Sequence, residues 1–186
     1  MTIESAMRDA SHKMEQAVSH LKEDLAGIRT GRATPAVLNR VVVEYYGTPV
    51  PLNQLASASV PEPRLLQVQP FDKNAIGAIE KAILGSDLGI TPSNDGNVIR
   101  LAFPQLTEER RRELVKQVHH RAEEGRVAVR NVRRHAKEGM EKLEREGGIS
   151  EDDLIRAEKE LQKLTDRFVA EVDQIQSHKE QELMEV

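Results

Sequence analysis

The chain has 186 residues, 38% of them apolar and 31% charged, with a formal net charge of -4. Two Tyr, three Phe and no Trp fit long, solvent-washed helices better than a broad aromatic core. With no Cys there is no disulfide, thiol nucleophile or thiolate metal site, which points to a reducing, cytoplasmic setting. The opening M-T-I-E-S-A-M-R-D-A has no basic region followed by an apolar run, and no stretch approaches the roughly 20 apolar residues of a membrane span.

From Ile3 the apolar positions 7, 10, 14, 17, 21 and 28 recur in steps of three and four, widened by Val18 and Leu25. They share one face of a helix expected to run to about Thr30. From Gly31 to Gln105 the period falls toward two. Val41 to Tyr46 is a β-branched and aromatic run followed by a Gly47-Thr48-Pro49 turn, and Leu65 to Gln69 alternates until Pro70. Residues 74–84 read as a short amphipathic helix, and Ser93 to Gly96 as a turn into a strand at Val98 to Leu101. Seven of the eight prolines fall between Pro35 and Pro92.

After Pro104 the helical period returns at Val115, Val118, Ala122, Gly125, Val129, Val132, Ala136, Gly139 and Leu143, behind a Thr107 cap signal. Glu146-Gly147-Gly148 stops it. A third helix opens on Ser150 with Asp153 as its capping-box acid and carries Leu154, Leu161, Leu164, Phe168, Val172 and Ile175. Three one-sided helices bury their stripes most simply against each other. The expected fold class is α+β: a long antiparallel three-helix bundle of 1–30 and 106–186, with a small β/α/β domain of 31–105 inserted. The crossings at Thr30, Gly31 and Arg32 and at Phe103, Pro104 and Gln105 are hinge candidates.

Charge is distributed unevenly. Arg110 to Lys137 holds ten Lys or Arg against three Glu, whereas Glu138 to Val186 holds seven against fifteen acids. With Val129 set at zero on a helical wheel, Arg133, Arg126, Lys137, Arg130 and Arg134 fall at about 40°, 60°, 80°, 100° and 140°. These cations flank the apolar stripe rather than joining it. They make either a solvated face, paired with the acidic third helix, or a surface for a polyanion, to which arginine's planar fork of donors is suited. Residues 125–137 contain no acid, which favours the polyanion. The Arg110-Arg111-Arg112 run makes either a second phosphate contact or an i, i+4 salted surface, and the flanking Glu108, Glu109 and Glu113 favour the salted surface. The six His show no metal-ligand spacing, and no phosphate-cradling glycine loop or nucleophile elbow is present. Neither a catalytic group nor a cofactor is expected. Tyr45 and Tyr46, read as strand neighbours, should face opposite ways.

The segments I-R-T-G-R-A-T-P (Ile28 to Pro35), V-V-E-Y-Y-G-T-P (Val42 to Pro49), S-D-L-G-I-T-P (Ser86 to Pro92), L-T-E-E-R-R (Leu106 to Arg111), A-V-R-N-V-R-R (Ala128 to Arg134), I-S-E-D-D (Ile149 to Asp153) and H-K-E-Q-E-L-M (His178 to Met184) resemble, in order and over essentially the whole chain, the ribosome recycling factor family. The resemblance implies an L-shaped, tRNA-like monomer. It would bind the large ribosomal subunit through ribosomal RNA and, with elongation factor G and GTP hydrolysis by that partner, split the post-termination ribosome into subunits without covalent chemistry of its own. It implies RNA contact by Arg133 above all, then Arg130 and Arg134, with Arg29 and Arg32 next. Arg126 and Lys137 join this set as members of the same stripe. His135 departs from the Asp that many members carry there. The alternative, a coiled-coil adaptor or chaperone for protein partners, requires a second exposed apolar stripe, and none of the three helices carries one.

Overall fold

The computed structural model describes residues 1–185. Its contacts divide the chain into two compact units, Met1–Arg29 with Glu108–Glu185, and Thr30–Thr107. The chain crosses between them twice.

The first unit holds three helices: α1 (Ile3–Ala26), α3 (Glu108–Arg145) and α4 (Glu151–Met184). Thr2 and Ser5 form a reciprocal capping box at the start of α1. At its end the Ile28 N–H bonds the Leu25 carbonyl at 3.0 Å, a three-residue step that tightens the last turn. The helix thus closes four residues before the Thr30 expected from periodicity. Ser150 and Asp153 cap α4 reciprocally, with the Asp153 N–H donating to Ser150 Oγ at 3.1 Å and the Ser150 N–H to Asp153 Oδ2 at 3.4 Å. The turn between α3 and α4 depends on Gly147, at φ +76°, and on Gly148, where a Cβ would stand 2.6 Å from Leu143 Cδ1.

The core of this unit joins Met14, Val18 and Leu21 of α1, Val118, Ala122 and Val129 of α3, and Leu161, Phe168 and Val172 of α4. Gly125 lets α1 approach α3 closely: a Cβ there would lie 3.2 Å from Leu21 Cδ2. Two stripe assignments shift: on α4, Leu154, Leu164 and Ile175 are only half-buried while Thr165 and Gln176 are buried, and α3 shifts likewise. Val132, Ala136, Gly139 and Leu143 are only half-buried, and Met140 is fully buried instead. Eleven residues make about three turns, so Met140 lies almost directly over Val129. Two polar side chains sit in this interior. Thr165 donates to the Leu161 carbonyl at 2.8 Å, and Gln176 is bound by neighbours described below.

The second unit contains a hairpin, β1 (Val42–Tyr45) with β2 (Thr48–Pro51), and a four-stranded antiparallel sheet. That sheet runs β3 (Ala56–Glu62), β4 (Leu65–Pro70), β6 (Ile99–Ala102), β5 (Pro92–Asn94), with α2 (Ile76–Leu84) packed in. Its core includes Val43, Leu52, Leu66, Val68, Ile79, Ile83, Ile99 and Leu101. Strands β2 and β3 escape a reading of periodicity for a physical reason. The β2 segment Thr48-Pro49-Val50-Pro51 holds two prolines, and β3 is an edge strand exposed at every position after Ala56 and carrying Pro61. Tyr46 also departs from expectation. It occupies the first place of a two-residue turn with Gly47, both at positive φ (50° and 78°), and is not a strand residue. Tyr45 is half-buried, and its hydroxyl donates to Asp72 Oδ2 at 2.9 Å.

Candidate nucleic-acid interface

Along α3 the five cations of the stripe sort by angle from the core. Arg133 and Arg126 stand closest to the apolar seam, and both reach across to α4. Arg133 Nη1 donates to Gln162 Oε1 at 3.0 Å, and Gln162 is itself held by Asp166 at 2.7 Å. Arg126 is bound more tightly: Nε donates to Asp173 Oδ1 at 2.8 Å, Nη1 to Glu123 at 3.2 Å, and Nη2 to Gln176 Oε1. Its side chain is only 17% exposed. Gln176 passes the connection on, its amide lying 2.7 Å from His119 Nδ1 and donating to Glu180 at 2.9 Å. His119 Nε2 closes the ring on Glu180 at 2.9 Å.

Farther round the helix the partners thin out. Lys137 lies 3.8 Å from both Glu141 and Glu158, beyond hydrogen-bonding distance. Arg130 lies 3.6 Å from Glu123 of its own helix. Arg134 is exposed and has no hydrogen-bond or ion-pair partner among the described residues. The absence of acids within residues 125–137 therefore predicts the free side of α3 but not the side facing α4, where Asp173 and Glu158 supply the missing charge. Exposed pairs at such distances contribute about 0–1 kcal/mol, so these contacts hold Lys137 and Arg130 only weakly. Arg126 is differently placed, since releasing it strands the buried Gln176.

The remaining candidates lie elsewhere. In the first unit Leu21 faces Gly125 and Asp24 pairs with Arg121 at 3.8 Å, so α1 runs antiparallel to α3. Arg29 then ends beside the first third of α3, roughly 25 Å along the axis from Arg133. Thr30, Gly31, Arg32, Phe103, Pro104 and Gln105 all fall in the second unit. Gly31 takes φ +79° with Leu106 Cγ 3.2 Å from where a Cβ would be. Phe103 packs on the core of the second unit, and its N–H donates to the Arg64 carbonyl at 2.8 Å. His135 is exposed and 3.7 Å from Glu138. Among the described residues no group of three or more His, Asp or Glu is placed to hold a metal, and no helix is long and apolar enough to cross a membrane.

Sequence reasoning missed the α4 side of this surface. A groove of about 340 Å³ separates the two helices beside Arg133 and is lined by Lys137, Ile155, Glu158, Lys159, Leu161 and Gln162 as well. The spacing Ile155, Glu158, Lys159, Gln162 on one face of α4 was legible. That it would face Arg133 and Lys137 was not.

A long three-helix unit with arginines along one flank, interrupted in sequence by a small unit of antiparallel strands and one helix, defines an α+β protein with a cationic helix flank. The family model described as "Ribosome recycling factor" matches residues 21–184. The ribosome-recycling factor of Acidothermus cellulolyticus is 54% identical over 99% of this chain and 100% of its own length, and that of Streptomyces coelicolor is 55% identical with the same coverage. Among solved structures, a ribosome recycling factor in solution superposes with a TM-score of 0.80 at 48% identity, covering 100% of this chain and 99% of its own. A second match is the Thermus thermophilus ribosome recycling factor, described with Escherichia coli elongation factor G bound to the E. coli post-termination complex. Its TM-score is 0.66 at 51% identity, over 98% of this chain and 99% of its own. The chain belongs to the ribosome recycling factor family.

Proposed function

We propose that this chain binds the post-termination ribosome in the cytoplasm as a monomer and, with elongation factor G and GTP hydrolysis by that partner, drives the subunits apart. It performs no covalent chemistry of its own. The observation that carries this reading is the 51% identity, over 98% of the chain, to a recycling factor described with elongation factor G on a post-termination complex. In this reading Arg133, Arg130, Arg134 and Lys137 contact ribosomal RNA of the large subunit. Their support is chemical: cations on one helix flank, three of them weakly partnered or unpartnered, match a phosphate backbone. Arg29 and Arg32 add contacts away from that stripe, while Arg126 holds α3 to α4 and acts on RNA only by keeping its neighbours in place. Thr30 to Arg32 and Phe103 to Gln105 serve as the hinge through which elongation factor G acts.

Co-sedimentation with purified ribosomes tests the RNA assignment. Arg133→Glu is expected to abolish ribosome binding with the melting temperature nearly unchanged, because Arg133 loses a single surface hydrogen bond. Binding retained alongside a large loss of stability would overturn the residue's role. The recycling assignment is tested by adding elongation factor G and GTP to post-termination complexes, with subunit formation read by sedimentation. Failure of the wild-type chain to yield subunits would sink it.

A further inference from the structure

The groove beside Arg133 has more in it than a phosphate needs. Three cations line it, Arg133 and Lys137 from α3 and Lys159 from α4, against one acid, Glu158. Arg133 spends one of its five donors on Gln162. Lys137 has no acid within hydrogen-bonding distance, and Lys159 has no hydrogen-bond or ion-pair partner among the described residues. Between these charges lies Ile155, a large apolar side chain left 45% exposed. On α4, Ile155 and Lys159 stand one turn apart, with Gln162 a further turn along, and face Arg133 and Lys137 across the groove.

We propose that this groove seats a single looped-out nucleotide of ribosomal RNA, its phosphate on Arg133, Lys137 and Lys159 and its base laid against Ile155. The inference deepens the proposed function and rests on it. A duplex backbone would satisfy the cations but leave Ile155 uncovered, whereas an unstacked nucleotide brings a charged end and an apolar face together. The groove's volume of about 340 Å³ lies at the small end of ligand-sized clefts. Glu158 accepts a hydrogen bond from a ribose hydroxyl or an exocyclic amine, and repels an acidic peptide. Lys159 and Ile155 thereby become RNA-contacting residues on a helix whose segment is acidic overall.

The test is a salt series of co-sedimentation with purified ribosomes for the wild type, Lys159→Ala, Ile155→Ser and Arg133→Glu. Lys159→Ala is expected to weaken binding about 3- to 10-fold and to lower the slope of log affinity against log salt by about one. Ile155→Ser should weaken binding to a similar extent with the slope unchanged, since it removes no charge. Base-selective chemical probing should find one ribosomal RNA base protected by the wild type and reactive again with Ile155→Ser. Ile155→Thr serves the same comparison should the serine variant fold poorly. Lys159→Ala and Ile155→Ser binding like the wild type while Arg133→Glu fails to bind would refute the groove and leave the ribosome-binding reading intact. Defects that emerge only when elongation factor G is added would place a protein in the groove and refute the nucleotide. Absence of wild-type binding would remove the underlying function itself.

Discussion

Arg126 and Asp173 meet at 2.7 Å across the α3–α4 interface, and the same guanidinium bonds the buried Gln176. One cation of a stripe that reads as a uniform polyanion surface is therefore a fastener between helices. Gln176, His119 and Glu180 complete a ring of polar groups around it. A network of this kind is stabilising while every member is satisfied and costly once one partner is withdrawn.

Arg126→Ala should therefore destabilise the helical unit by about 1–3 kcal/mol, the cost of leaving a buried acceptor unpaired. Arg134→Ala, with no partner to lose, should leave stability within about 0.5 kcal/mol of wild type. Urea unfolding of the two variants separates the roles. Equal stabilities would mean that the Arg126 network contributes nothing.

Tyr46 holds φ 50° while 79% exposed. A left-handed backbone costs a tyrosine roughly 1–2 kcal/mol, and Asn before Gly is the preferred pair for this kind of turn. Tyr46→Asn should raise the stability of the second unit by about 1 kcal/mol. A fall in melting temperature would show that the edge-on contact of Tyr45 with Tyr46, at 4.5 Å between ring centres, outweighs the backbone strain.

Asp95 accepts the N–H groups of Asn97 and Val98, each at 3.0 Å, and pairs with Arg100. The Val98 and Asn97 N–H bonds, aided by Arg100, lower its carboxyl from 3.8 to about 2. A folded-state value below the unfolded one means that the unfolded chain takes up the proton first as pH falls. The stabilising contribution is then complete above about pH 4 and disappears as the pH drops through about 2. Asp95→Asn should melt at a lower temperature than wild type at pH 7, with the two melting curves converging between pH 4 and pH 2. Parallel curves through that window would contradict the assignment.

Local signals made much of this molecule legible. Three- and four-residue steps marked α1, α3 and α4, the Ser150 and Asp153 pair fixed the start of α4, and the glycines at 147 and 148 fixed the turn before it. The stripe angle even ordered the cations of α3 by their distance from the core. What stayed hidden involves partners distant in sequence. Strand β3, exposed from Ser57 onward and alternating only small Ala and Ser side chains before Val60, lacks the bulky apolar face that marks a strand and exists through its pairing with β4. Met140 was passed over because stepping by three and four from Val129 reached Gly139 instead.

The sequence by itself determined three amphipathic helices around a β-rich insert and an arginine-bearing flank on α3, because periodicity, caps and local charge act within one or two turns, while its motifs carried the resemblance to the family. Tertiary structure alone decided which arginine is a fastener and which is available. Asp173 lies 47 residues from Arg126, and Gln162 lies 29 from Arg133. Only the packing of α4 against α3 brings them within reach of a hydrogen bond, and only that packing makes a groove from Ile155 and Lys159.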